Sequence, residues 1–206
     1  TMTVLTRRGV LLSTAAAITF AGSASTTWAQ DIKELVIAYN VNLPSWNPTV
    51  GASAVNPTIQ GLYQSVFDLF IAQDTDLTQT AGLITDWGWN ADKTKVHMTV
   101  RDGVTWHNGD PLTAEDVVYS LQRAVQLDKT PAFILTQFGL TKDNVKDKIK
   151  QTGPLTLTME TDKSYAPTFV YNCLTANIAS IVDKKLLMSK EVAGDMGYGW
   201  LKTNYA

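Results

Sequence analysis

From Thr113 to Gln126, apolar residues recur at Ala114, Val117, Val118, Leu121 and Val125, while Glu115, Asp116, Gln122, Arg123 and Gln126 fall on the wet side. That spacing predicts an amphipathic helix. Thr113 suits its N-cap, and Glu115 and Asp116 place negative charge in the first turn, where the helix dipole favours it. Upstream the period changes to two. Leu83, Thr85, Trp87 and Trp89 alternate, Asn90 to Thr94 make a turn, and Val96, Met98 and Val100 alternate on the return, which predicts a hairpin with Lys95, His97, Thr99 and Arg101 on its other face. Two turns, Arg101-Asp102-Gly103 and His107-Asn108-Gly109-Asp110, flank a short strand over Val104 to Trp106.

Elsewhere the pattern predicts a buried strand at Glu34 to Asn40 and a helix from Thr58 to about Asp68 with Ile59, Leu62, Tyr63, Val66 and Phe67 on one face. A helix opens at Pro131 and runs to about Phe138; Lys142 to Lys150 is a charge-mixed stretch. Leu155 to Thr161 alternates as a strand. A helix near Ala166 to Leu174, a strand near Ile178 to Val182 and a helix near Asp183 to Ser189 follow, and the Gly194, Gly197, Gly199 cluster reads as a turn. Between the first strand and the first helix, Val41 to Pro57 carries Pro44, Pro48, Gly51 and Pro57 among Asn, Ser and Thr, and so reads as a long loop. Loops of that length in compact domains are often functional. Trp46 lies in it, where an indole either stacks on a small ligand or pins the loop to the body.

The N-terminal pattern is different again. Arg7 and Arg8 precede a weakly apolar stretch from Gly9 to Gly22, and small polar residues follow up to Ala29. Basic, apolar, then small is the order of a secretory signal, with Thr27 and Ala29 suited to a cut after Ala29 and a cut after Ala24 as the alternative. Fourteen residues reach about 21 Å as a helix, short of the roughly 30 Å of a bilayer core, so the segment predicts export rather than anchoring. Thr6-Arg7-Arg8 followed by Gly9, Val10 and Leu11 also fits a twin-arginine signal; it and an ordinary Sec signal both stay open. Residues 1–29 are therefore read as a signal peptide and the mature protein as periplasmic.

Composition narrows the function. With 17 basic and 19 acidic side chains in 206 residues, the chain lacks the positive charge of a nucleic-acid binder, and its 45% hydrophobic content predicts a folded core. The single cysteine, Cys173, forms no internal disulfide and no thiolate cluster. His97 and His107 are the only histidines and neither has a second ligand at metal spacing, so neither a metal nor a cofactor is expected. No nucleophile elbow, zinc-binding helix, phosphate loop or dinucleotide fingerprint occurs. Asp110, Glu115 and Asp116 are the only basis for a hydrolase reading, and the turn and helix start account for all three.

The stretch from Trp87 to Ala124, W-G-W-N-A-D-K-T-K-V-H-M-T-V-R-D-G-V-T-W-H-N-G-D-P-L-T-A-E-D-V-V-Y-S-L-Q-R-A, strongly resembles the family 5 extracellular solute-binding proteins of ABC importers, which include oligopeptide, dipeptide and nickel binders. The resemblance rests on Asp92 in the hairpin turn, Val100-Arg101, Gly103, Trp106 to Gly109, and Pro111, Thr113, Glu115 and Asp116 in the run that opens the helix. Asn47 and Asn108 stand where Asp is frequent, and Val96 and Met98 where an aromatic is common. The resemblance implies a mixed α/β, α+β chain with the type 2 periplasmic-binding-protein fold, of which only the amino-terminal portion is present, the second lobe being absent. In those terms residues 30–65 supply the first strand, the ligand-side loop and the helix start of lobe I. Residues 66–206 form its subdomain with the hairpin and the Thr113 helix, stopping before the return to lobe I. The implied function is a monomeric, unanchored periplasmic subunit that captures a small solute and passes it to an ABC permease and its ATPase. The implied binding residues lie on the loop: Asn42, Trp46, Asn47, Gly51, Ala52, Ser53 and Ala54. Since Asn42 to Ala54 holds no charged residue, a peptide and a neutral, sugar-like or opine-like solute both stay open, and nickel would need ligands from elsewhere. A truncated, non-binding remnant is the alternative to a transport role.

Overall fold

The structure is a computed structural model that describes residues 36–38, 42, 43, 45–49 and 56–204 and falls into two compact units, 1–38 and 39–206. In the first unit the described residues carry no strand, and Val36 and Ile37 are 81% and 59% exposed, so the buried strand expected over Glu34 to Asn40 is not seen at these positions. A short apolar run becomes a strand only where a neighbour completes its hydrogen-bond ladder. The remainder of that expected strand, the signal segment 1–29, and Gly51, Ala52, Ser53 and Ala54 lie outside the described residues.

The second unit is built on a four-stranded antiparallel sheet with strand order β3-β4-β6-β5, where β3 is Ile84–Trp89, β4 Lys95–Val100, β5 Ile149–Gln151 and β6 Thr156–Glu160. Ile71–Gln73 (β1) and Gln79–Ala81 (β2) form a separate small hairpin. One face of the large sheet is dry: Val96, Met98, Val100, Leu157 and Met159 are at most 1% exposed and meet Val117, Leu121, Ala124 and Val125 of the helix Ala114–Leu127 (α2). The other face is wet, with Lys95 paired to Glu160 at 2.6 Å and His97 beside Thr158. This is the period-two pattern of a sheet covered on one side only.

The β3–β4 hairpin forms where expected, with Trp87 opposite Met98 and Trp89 opposite Val96, and a bulge between Ile84 and Asp86 resets the phase. The extra residue, Thr85, leaves two successive side chains on the wet side, and Thr85 and Asp86 are both exposed. The helix opening at Pro57 (α1, Pro57–Gln64) is shorter than expected because Ser65 caps it, its hydroxyl donating to the Leu62 carbonyl at 2.7 Å. The Pro131 helix is a 3-10 turn, Thr130–Ala132, leading into one α turn, Phe133–Thr136 (α3). Val145–Lys148 (α4) precedes β5, and Pro167–Leu174 (α5) and Lys184–Ser189 (α6) lie near their expected positions. Ile178 to Val182 is not a strand: Asn177–Ala179 is a 3-10 turn and the rest is irregular, though Ile178, Ala179, Ile181 and Val182 are all buried. Burial without alternation leaves a short apolar run ambiguous between these outcomes.

A second, smaller core gathers Ile59, Tyr63, Phe67, Val182, Leu187 and Leu201, with Leu43, Trp46, Tyr119 and Trp200 packed on it. It joins α1, the far side of α2 and the loop holding Trp46.

Candidate functional site

The turns flanking Trp106 set the frame. Gly103 and Gly109 have φ of +74° and +88°, a backbone region that L side chains rarely adopt. Between them, Trp106 donates its amide to the Asp110 carbonyl at 2.8 Å and Leu112 donates to Val104 at 2.9 Å, making a tight loop that leads into α2. Thr113 caps α2: its hydroxyl accepts from the Glu115 amide at 3.3 Å while the Asp116 carboxylate accepts from the Thr113 amide at 3.0 Å. This is a reciprocal capping box.

Asp116 then does a second job. Its other oxygen accepts the Lys184 amide at 3.1 Å, one turn before Ser120, whose hydroxyl accepts the Val182 amide at 3.0 Å. Asn108 donates to Asp183 at 3.1 Å, and Asp183 caps α6 by accepting the Leu186 amide at 2.8 Å. Lys185 pairs with Asp110 at 2.8 Å and Lys184 pairs with Glu115. Arg101 donates to the Gly82 carbonyl, tying the hairpin base to the preceding segment. Asp92 is exposed in a turn that Asn90 closes instead, by accepting the Thr94 and Lys95 amides, both at 3.0 Å. The family-type residues thus hold Val182–Lys184 against α2. Asp110, Glu115 and Asp116, together with Trp106 and Lys185, border an open groove of about 530 Å³, and each of these acids has a structural partner.

The loop residues are arranged as an anchor. Ser45 donates its hydroxyl to the Leu201 carbonyl at 2.7 Å and accepts the Asn47 amide at 3.0 Å. Asn47 is fully enclosed, its carbonyl oxygen accepting the Thr49 amide at 3.1 Å and the Thr49 hydroxyl at 2.7 Å. The Tyr63 hydroxyl lies 2.7 Å from the Ser45 carbonyl and 2.8 Å from that of Asn47, and burial pushes its pKa up, so it stays a hydrogen-bond donor. Trp46 is half-buried, its ring centroid 6.0 Å from that of Tyr63, which stacks on Phe67 at 5.6 Å. Asn42 is exposed. Of the loop residues expected to meet a solute, Asn42 and Trp46 are the described ones with exposed surface; Asn47 faces inward.

Sequence reasoning placed Arg123 on the wet side of α2, and the structure corrects it. Arg123 is 1% exposed, its Nε donating to the Met196 carbonyl at 2.8 Å and its Nη1 reaching the Asn47 side-chain oxygen at 3.5 Å. Tyr63, Ser120 and Asp183 were also missed as anchoring residues. A signal was present: Asp116, Ser120 and Arg123 recur at i, i+4 and i+7, a polar stripe at helical spacing beside the apolar one.

Among the described residues no group of three or more His, Cys, Asp and Glu side chains is placed to hold a metal, and no helix is long and apolar enough to cross a membrane. Comparison with known proteins gives the frame its context. A probable peptide ABC transporter periplasmic-binding protein from Sinorhizobium fredii is 28% identical over 86 residues, which is 42% of this chain and 16% of that protein. The murein tripeptide binding protein MppA of Escherichia coli matches in fold with a TM-score of 0.61 and 24% identity, over 72% of this chain and 30% of its own. Haemophilus influenzae OppA, solved with the peptide RPPGFSPFR, matches with a TM-score of 0.63 and 16% identity, over 77% of this chain and 31% of its own. The chain therefore spans under a third of the length of these relatives. The family model for the middle region of bacterial extracellular solute-binding proteins, family 5, matches residues 78–202. The hairpin, the Trp106 turn, the capped α2 and the Val182–Lys184 dock all fall inside that span, and the chain belongs to the family 5 bacterial extracellular solute-binding proteins.

Proposed function

We propose that this chain is the amino-terminal portion of a periplasmic, peptide-binding subunit of an ABC importer, exported by residues 1–29 and working as an unanchored monomer with a membrane permease and its ATPase. The observation that carries this reading is the family match over 78–202, taken with relatives described as peptide and murein-tripeptide binders. In this reading residues 30–65 supply the solute-side loop and α1, and residues 66–206 supply the supporting subdomain. The loop Asn42–Ala54 borders the solute, with Trp46 offering a partly exposed apolar face, Asn42 a polar one, and Gly51, Ala52, Ser53 and Ala54 a stretch of small side chains that admits close approach. Asn47 contributes by holding the loop's shape. The anchored geometry supports this, because a recognition loop needs a rigid base to present it.

A neutral, sugar-like or opine-like solute is the second reading, favoured by the absence of charged residues from Asn42 to Ala54. The test is a thermal-shift panel on the periplasmic protein purified from its host, with di- to nonapeptides, sugars, opines and nickel salts as separate arms. A saturable rise in Tm with peptides is expected. A rise confined to sugars or opines replaces the peptide reading, and no shift across the panel overturns the binding role.

A further inference from the structure

The Gly194, Gly197, Gly199 cluster, which the sequence marks only as a turn, closes in a costly backbone conformation. Ala193, Gly194, Met196 and Gly197 have φ of +53°, +79°, +52° and +71°. Left-handed residues other than glycine are strained, and such strain persists only where the surroundings over-determine it. Asp195 supplies the inner hold, its carboxylate accepting the amides of Val192 and Gly197 at 3.0 Å and of Gly199 at 2.8 Å. Gly197 also lies against α6, where a Cβ would come within 3.2 Å of the Leu187 carbonyl oxygen. The outer hold runs through α2 to the loop that carries Trp46. Arg123 Nε donates to the Met196 carbonyl, its Nη1 reaches the Asn47 side-chain oxygen, and its guanidinium also hydrogen-bonds the Tyr119 hydroxyl one helical turn earlier. Ser45 adds a direct tie from the loop to the Leu201 carbonyl, 156 positions away. Segment 192–201 and loop 45–49 are therefore joined twice, and both ties end on carbonyls of the segment.

We infer that segment 192–201 is the positioning element of loop 45–49. Held in its left-handed turns by Asp195, it fixes the loop through Arg123 and Ser45, and so sets solute affinity from residues that touch no solute. Three features make the loop depend on this support. Asn47 is fully enclosed, and its side-chain oxygen serves Thr49 and Arg123 together, so the loop's own turn and the brace share an atom. The Ser45 hydroxyl accepts the Asn47 amide and donates to Leu201, so its rotation is fixed from the far side. The Arg123 cation, 1% exposed, is favoured by the nearby charge of Asp195, the same acid that shapes the turn. A site that holds its competent shape only part of the time has its dissociation constant raised by the reciprocal of that fraction. The affinity role rests on the transport reading; the link between segment and loop does not.

The experiment perturbs the backbone of the turn alone. Gly194 has φ +79° and open space where a Cβ would sit, so Gly194→Val forces a β-branched residue into a left-handed turn without a collision. Asn adopts that region readily, which makes Gly194→Asn the rescuing variant. Lys93, exposed with φ +54° in the β3–β4 turn, gives the matched perturbation elsewhere as Lys93→Val. The periplasmic protein purified from its host and each variant are compared by hydrogen exchange at the Asn47 and Thr49 amides. Their dissociation constants are measured for trialanine, or for the sugar or opine that binds in its place. Gly194→Val speeds exchange at both amides and raises Kd, each about tenfold, the effect of one lost hydrogen bond on a loop equilibrium, while the amides of β4 and β6 exchange as in the wild type. Gly194→Asn and Lys93→Val stay within about twofold of the wild type. Ser45→Ala acts in the same direction, and adding it to Gly194→Val gives less than the product of the two effects, because both act on one link. If Gly194→Val does not fold, Gly194→Ala carries the same test with a smaller shift. Loop exchange that is unchanged in Gly194→Val, or that rises equally in β4 and β6, overturns the link. Faster loop exchange with an unchanged Kd overturns the affinity role. No shift for any solute of the thermal panel, with the loop response intact, overturns the transport reading and leaves the link standing.

Discussion

Replacing Asp116 with alanine tests whether the family-type run serves as a structural clamp. Its carboxylate, in a residue 8% exposed, accepts the Thr113 amide at 3.0 Å and the Lys184 amide at 3.1 Å. Hydrogen bonds to a charged group contribute about 1.5–3 kcal/mol each, and water reaching the freed amides recovers part of that, so the net cost is about 2–4 kcal/mol. Against total stabilities of roughly 5–15 kcal/mol this is a large fraction. At roughly 2–4 °C per kcal/mol for a chain of this size, Tm falls by about 4–16 °C. The neighbour supplies the control. Glu115, whose side chain is 59% exposed, pairs with Lys184 at the surface, and Glu115→Ala costs about 0–1 kcal/mol. Urea unfolding followed by tryptophan fluorescence measures both, and hydrogen exchange at the Lys184 and Leu186 amides reports whether the dock loosens. If Asp116→Ala and Glu115→Ala unfold within about 0.5 kcal/mol of each other, the clamp argument is wrong.

Tyr63→Phe removes the proton shared between the Ser45 and Asn47 carbonyls; it costs about 1–2 kcal/mol, with faster amide exchange at residues 45–49 as the specific readout. Gly139→Ala is expected to destabilise by about 1–3 kcal/mol in urea melts, since Gly139 has φ +75° and a Cβ there would sit 2.3 Å from that of Asp162. The amides of Val192, Gly199 and Gly197 hold the Asp195 carboxyl below its ordinary value of 3.8, so its stabilisation is complete above that value and is lost as pH falls through the lower folded pKa. Asp195→Asn therefore flattens the acid limb of the Tm-versus-pH curve below about pH 4 without changing its slope near neutrality; an unchanged acid limb refutes this.

The elements most legible in the sequence are those in which one face is dry and the other wet. The β3–β4 hairpin and α2 announce themselves because Val96, Met98 and Val100, and Val117, Leu121 and Val125, each keep a single period against polar partners. Where both faces are buried the signal fails. Ile178 to Val182 is packed on all sides and is therefore apolar without alternation, which is why an irregular segment reads as a strand. The β1–β2 hairpin and β5 were missed because three-residue strands are too short to display a period. At the site, the turn glycines and the Thr113 cap are local chemistry and were readable. Arg123, Tyr63 and Ser120 act on residues 62 or more positions away, or across a loop, and a polar side chain on a helix looks solvated until the segment that covers it is known.

The clamp between α2 and Val182–Lys184 has a corollary for what the family signature reports. Asn108, Asp110, Glu115 and Asp116 turn their polar groups to neighbours within their own subdomain, so the run that makes this chain recognisable records how the scaffold is assembled and carries no imprint of a ligand.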